Sequence, residues 1–334
     1  MKQHAITFSC GLIRLMTVAL FAVSMQAGAE TVKERCGDLP YPTAKICYLN
    51  WWDGSMASAE IGDDERLERL PPEQRELADY LSAFILDMDA KYFGRIGAMN
   101  GELEFEDRSQ ETEWSEYELR VTRGEVMEKA GRMFSKGKKS NPARGDGNLV
   151  WGRFYSLDMH TKTPLVGMLH ATIVLNLFED GSSSVGGWLG VMPGTKIAED
   201  LDYLKSLTDA YFAKADKDPS LYRELICKGT HETIFEFRRL PACSGVSFYG
   251  PPVYRGSTED SIKFVAGLFD AFVGAYVDIA EKRANQPYTK ADLLAQDEMR
   301  RRWLIDQLFS DPFASAIVPF DVWSFANVPP VIKF

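Results

Sequence analysis

The sequence predicts an α+β protein built around a large, mainly antiparallel β-sheet. Three observations carry this reading. Strand-like runs come in succession from Gly101 onward, with the helices gathered around them rather than alternating with them, which argues against a doubly wound fold. The stretch from His160 to Pro193 reads as a hairpin, two apolar strands around the turn signal Asp180-Gly181. Helical periodicity is clear only in segments flanking these strands, with leucine and phenylalanine recurring on one side.

Taken in order, the chain of 334 residues opens with Lys2 and Arg14 flanking a short n-region. The apolar run Leu15 to Val23 and the small-x-small site Ala27-Gly28-Ala29 follow. This predicts a leader at residues 1–29, cleaved after Ala29, and an exported, periplasmic or secreted protein. The apolar run is too short to span a bilayer, and no later segment approaches a span. Residues 30–70 read as an irregular extension anchored by Trp51-Trp52, and residues 71–334 as a single domain. Pro71-Pro72-Glu73 opens a helix to about Phe93, whose apolar stripe is Leu77, Leu81, Phe84, Ile85 and Met88. Strands follow over Glu102–Asp107, Tyr117–Thr122 and Val150–Asp158. After the hairpin come a helix over Lys196–Ala215, a short one near Tyr222, and strands at Thr233–Arg239 and Gly245–Tyr249. Two helices, Asp260–Ala284 and Thr289–Phe309, lead to the tail, with Thr289 as an N-cap.

Composition excludes some functions. The chain carries 48 acidic against 38 basic residues, a formal charge of −10, and loss of the leader makes it more negative. Such a surface suits neither nucleic acid nor anionic lipid, and the basic run Arg300-Arg301-Arg302 is isolated. Cys10 belongs to the leader. The remaining Cys36, Cys47, Cys227 and Cys243 fit two disulfides of an exported chain, with Cys36–Cys47 and Cys227–Cys243 the sensible pairs among three connectivities. No C-x-x-C is present and only three histidines follow the leader, so no metal centre is expected.

The hairpin holds the candidate chemistry. His170, Thr172 and Asn176 stand at even spacing in its first strand and therefore share a face of the sheet. In the second strand Gly186-Gly187 lets another group approach the backbone, and the adjacent Trp188 could stack on a flat ligand.

His160, Pro164 and His170 resemble, in type and spacing, the H-x-x-x-P-x-x-x-x-x-H stretch of the oxygen-dependent coproporphyrinogen III oxidases. Gly186, Gly187 and Pro193 match the family's glycine-rich strand. Glu128, Lys129, Ala130, Gly131 and Ser135 match its G-x-x-F-E-K-A-G-V-x-x-S segment. The helices carrying Phe272-Val273-Gly274-Ala275-Tyr276, Glu281-Lys282-Arg283, Pro287-Tyr288-Thr289 and Arg300-Arg301-Arg302 are similar to later family motifs. The tail Val322 to Pro330 is similar to its closing strand. The resemblance spans about Gly124 to Pro330. It implies a broad antiparallel sheet with helices on both faces, a homodimer, and a small-molecule ligand of the tetrapyrrole class. It also implies O₂ as co-substrate, with no metal or organic cofactor.

In that family two propionates of a reduced tetrapyrrole become vinyl groups. Guanidinium groups suit the propionates, and a carboxylate near the pyrrole N–H groups stabilises positive charge. Carried over residue by residue, His170, Asp311 and Arg239 are the catalytic candidates, and His160, Arg238, Gly186, Gly187, Trp188 and Arg302 the ligand-binding ones. The sequence departs from the pattern at Thr172, Val174, Gly190 and Pro312, where the family has asparagine, arginine, aspartate and arginine. Three readings follow: an oxidase of porphyrinogens or related electron-rich substrates with a rearranged site, a tetrapyrrole- or small-ligand-binding protein without turnover, and a structural or interaction protein on the same scaffold.

Overall fold

The structure is a computed structural model that describes residues 65–140, 147–227, 242–305 and 318–334. The expected leader, Trp51-Trp52, the Cys36–Cys47 pair, the strand at 233–239 with Arg238 and Arg239, and Asp311 and Pro312 lie outside the described residues.

Among the described residues seven strands form one sheet: β1 (Glu106–Glu111), β2 (Ser115–Thr122), β3 (Met127–Gly137), β4 (Leu149–Thr161), β5 (Met168–Phe178), β6 (Ser183–Met192) and β7 (Val246–Ser247). Their spatial order is their chain order and every neighbouring pair is antiparallel. Short connections from β1 to β6 make this part of the meander the direct outcome, since two antiparallel strands need only a tight turn between them, whereas β7 joins β6 only after two intervening helices. One edge is β1, a short charged strand largely exposed to solvent, a composition that discourages pairing with another chain. The fold is α+β, as expected. Strand β4 runs on to Thr161, so His160 ends that strand instead of opening the hairpin.

Among the described residues the helices are α1 (Glu65–Glu68), α2 (Pro72–Asn100), α3 (Ala198–Lys214), α4 (Ser220–Cys227), α5 (Thr258–Arg283), α6 (Lys290–Ile305) and α7 (Phe320–Ala326). Helix α2 continues past the expected end at Phe93, because Ile96 and Gly97 are also buried. It stops where Gly101 takes a left-handed conformation, φ 79°. Thr289 caps α6 as expected: its Oγ accepts from the Asp292 backbone N–H, and Asp292 accepts from Thr289 in return. Cys227 and Cys243 lie at disulfide distance, Cα–Cα 5.1 Å.

Pairing register sorts the side chains onto two faces. The first packs Tyr155, Leu157, Leu169, Ala171, Ile173 and Leu189 against the apolar stripes of α2, α3 and α5, forming the main core. Full burial of each leucine or isoleucine among them contributes roughly 1.5–3 kcal/mol. The opposite face is covered in part. Tyr117, Leu119, Val121 and Met133 lie under Val322, Phe325 and Ala326 of α7, while Met168 and Met192 lie under Met299 and Trp303 of α6. The expected closing strand at Val322–Pro330 is therefore wrong in its first half. Pro319 stands at the helix start, and Val322, Phe325 and Ala326 recur at helical spacing, so a helix buries them where a strand would split them between two sides.

Candidate functional site

The second face holds a line of polar side chains in an otherwise apolar surface. Alternation along β4 puts Ser156, Asp158 and His160 on it, and alternation along β5 adds His170, Thr172 and Asn176. Register sets Asp158 directly opposite His170 on one side, and Gly190 of β6 opposite His170 on the other. Asp158 is fully buried. Its Oδ1 accepts a hydrogen bond from His170 Nδ1 at 2.7 Å, and its Oδ2 accepts one from the Asn327 side-chain amide. The amide also donates to Ser156 Oγ at 3.3 Å. With Nδ1 committed to the carboxylate, Nε2 of a neutral His170 keeps its lone pair, and among the described residues no hydrogen bond reaches it.

His170 lines a narrow pocket of about 10 Å³ together with Met168, Trp188, Gly190, Val191, Met192 and Trp303. An imidazole held by a buried carboxylate and open at its far nitrogen is equipped to take a proton from a bound ligand. His160 is different in kind. It is buried, and its Nε2 donates to the Asn327 carbonyl at 3.1 Å. Burial holds its ring well below the usual imidazole range, with the Lys129 and Arg300 charges adding to the effect, so it stays neutral. His160 anchors the C-terminal segment.

Lys129 completes the buried group, donating to the Val328 carbonyl at 2.5 Å. Burial pushes its amine down to about 7, with the Arg123 charge adding and Asp158 and Glu106 opposing. Between pH 7 and about 10.4 the unfolded chain thus binds more protons at this residue than the folded one. Unfolding free energy should rise with pH across that window, by up to about 1.4 kcal/mol per unit from this group. Lys129→Met should flatten the rise. Urea denaturation of both proteins at pH 7, 8, 9 and 10 measures it, and parallel pH dependences would refute it.

The other expected site residues are placed as follows. Gly186 and Gly187 serve two different sides of the sheet, because adjacent strand residues point to opposite faces. Gly186 shares the His170 face, where a Cβ would meet the Tyr249 ring at 2.8 Å. Gly187 turns to the core, where one would stand 2.7 Å from the Thr172 carbonyl oxygen. Tyr249, whose hydroxyl bonds Thr172 Oγ1 at 3.0 Å, lies over this part of the strand pair. Trp188 shares the His170 pocket, and its indole nitrogen is 2.8 Å from where a Cβ at position 190 would be. Arg302 is drawn to Glu298 at 3.1 Å along α6, and it is Arg300 that reaches inward, to Glu128 at 2.5 Å. Val174 does line a second cleft on this face, of about 40 Å³, with Trp114, Ser135, Phe154 and Asn176. Four residues of strand separate Val174 from His170, about 14 Å.

Asp158, Asn327, Tyr249 and Trp303 are the members that sequence reasoning missed. The first had a signal: Ser156, Asp158 and His160 alternate with apolar residues in the same way as His170, Thr172 and Asn176. The other three come from distant segments whose approach no spacing announces. Compared with known proteins, the chain matches no family model, and no curated protein matches it at a significant level. Among the described residues, no group of three or more His, Cys, Asp or Glu could hold a metal ion, and no helix is long and apolar enough to cross a membrane.

Proposed function

We propose that the chain is a divergent relative of the oxygen-dependent coproporphyrinogen III oxidases, exported, with its site rebuilt around His170 and Asp158. The substrate class is an electron-rich heterocycle bearing an N–H group, of the porphyrinogen type, in which each pyrrole ring is flat. The carrying observation is the 2.7 Å bond from His170 Nδ1 to the fully buried Asp158, at the rim of a pocket walled by Trp188 and Trp303. Position 190, where the resemblance calls for an aspartate, is a glycine. Asp158 offers a carboxylate to the same histidine from the strand on its other side.

The chemistry this supports balances without a bound cofactor. His170 Nε2 takes the ring N–H proton, which raises the electron density of the heterocycle. For each propionate converted, the side chain loses its carboxyl carbon as CO₂ and the hydrogen next to the ring. Two electrons pass to O₂, which takes two protons and leaves as H₂O₂, and a vinyl group remains. The protein's part is to orient the ring and hold the proton, and such a positioned base contributes about 10²–10⁴-fold.

The rim of the pocket carries no guanidinium among the described residues that line it, so a tetracarboxylate should bind less well than a porphyrinogen with fewer acidic groups. Oxygen consumption with each compound tests the reading. Uptake that prefers the less acidic compound and vanishes in His170→Gln supports it. Binding seen by tryptophan quenching with no oxygen uptake rejects turnover and leaves a ligand-binding protein. That second reading draws on the indole of Trp188, which fills the space over Gly190.

A further inference from the structure

The segment following α7 crosses the polar line of the second face and touches it at three successive residues. The Ala326 carbonyl lies over Gly131, where a Cβ would be 1.9 Å from its oxygen. Asn327 is fully buried. Its amide binds Asp158 and Ser156, and its carbonyl accepts from His160. The Val328 carbonyl accepts from Lys129. Farther along, Lys333 pairs with Asp297 at 3.0 Å, and Arg301 donates to the Lys333 carbonyl at 2.9 Å, so both ends of the segment are tied down.

We propose that Asn327 is the positioning residue of the His170–Asp158 pair, and that the C-terminal segment is thereby part of the site. This rests on the proton-accepting role assigned to His170 above. A carboxylate can turn about its Cβ–Cγ bond, and a buried one turns toward whichever donors remain. Here one oxygen faces His170 and the other faces Asn327, so the amide sets the carboxylate plane and the carboxylate sets the ring. The same device, an outer amide or carboxylate orienting the group that orients the reactive one, recurs wherever an imidazole must keep one tautomer. Among the described residues, the charged and titratable groups on the same face beside Asp158 are His170, His160 and Lys129. The burial that favours the uncharged forms of His160 and Lys129 leaves Asn327 as the uncharged donor to the second oxygen.

The test uses the full chain labelled with ¹⁵N-histidine, in which the His170 Nδ1–H resonance is assigned by its absence from His170→Gln. Asn327→Leu keeps the volume and removes the amide. It should lose the resonance or speed its hydrogen exchange by about tenfold or more, the scale of one lost hydrogen bond. Oxygen uptake should fall in kcat with little change in KM. Arg301→Ala, which loosens the far end of the same segment, should leave the resonance in place. Should Asn327→Leu not fold, Asn327→Ser is read by the same criterion. A wild-type resonance with wild-type exchange in the Asn327 variant overturns the proposal. A protein that never consumes O₂, yet loses the resonance on Asn327 substitution, overturns the oxidase reading and leaves the positioning role standing.

Discussion

Gly131→Val should destabilise the protein by about 3 kcal/mol, the upper end of what overpacking costs. The glycine sits inside β3, where β-branched residues are ordinarily favoured, so propensity alone would predict a gain. Geometry reverses the sign, because even a methyl group would stand 1.9 Å from the Ala326 carbonyl oxygen and 2.7 Å from its carbon. Both are backbone atoms that cannot swing aside. The segment must lift, and with it go the Lys129–Val328, His160–Asn327 and Asn327–Asp158 bonds. Urea denaturation of the variant measures the loss. Limited proteolysis should also show the C-terminal segment cut faster than in the native protein. A midpoint unchanged within error would mean that the segment does not depend on this contact.

Asp158→Asn should cost turnover far more than it costs stability. The substitution preserves shape, but the amide has one acceptor and one donor where the carboxylate had two acceptors, and both neighbours, His170 Nδ1 and the Asn327 amide, need acceptors. One side must break or the imidazole must change tautomer, which turns Nε2 from acceptor to donor. The rate of oxygen consumption should fall about 10²–10⁴-fold, the range for losing a positioned base or its tautomer. His170→Gln should fall as far. The two changes combined should cost little more than either alone, because they disable one unit. Additive losses in the double variant would show that the two residues act separately.

The fold class and the face that carries His170 were both legible in the sequence. Alternation in Met168–Phe178 and the Asp180-Gly181 turn specify a hairpin. A strand's two-residue period then places His170, Thr172 and Asn176 together whatever the rest of the chain does. The capping pair Thr289–Asp292 was legible for the same reason, since its partners are three residues apart. The Glu128-Lys129-Ala130-Gly131 run and the Ala326–Val328 tail were each readable as motifs, but not as a contact between them. The first turns out to hold the second, through Gly131 at Ala326 and Lys129 at Val328, across a sequence distance that no periodicity bridges.

By itself the sequence determined what short-range geometry controls: the strands, their faces, the turns and the helix stripes. The tertiary structure alone decided which groups complete the histidine. Asp158 reaches His170 because β4 and β5 pair in one register, and a shift of one residue would have turned the carboxylate into the core. Asn327 reaches Asp158 because α7 packs on β2 and β3 and delivers the following residues across the sheet. The space above Gly190 is filled by Trp188 and Ile226, side chains whose position depends on the packing of α4 against the sheet. Local preferences act over three or four residues and are written in the order of the chain. The partners of a buried polar group are chosen by packing between segments, because only there does leaving a donor or acceptor unpaired carry its full cost.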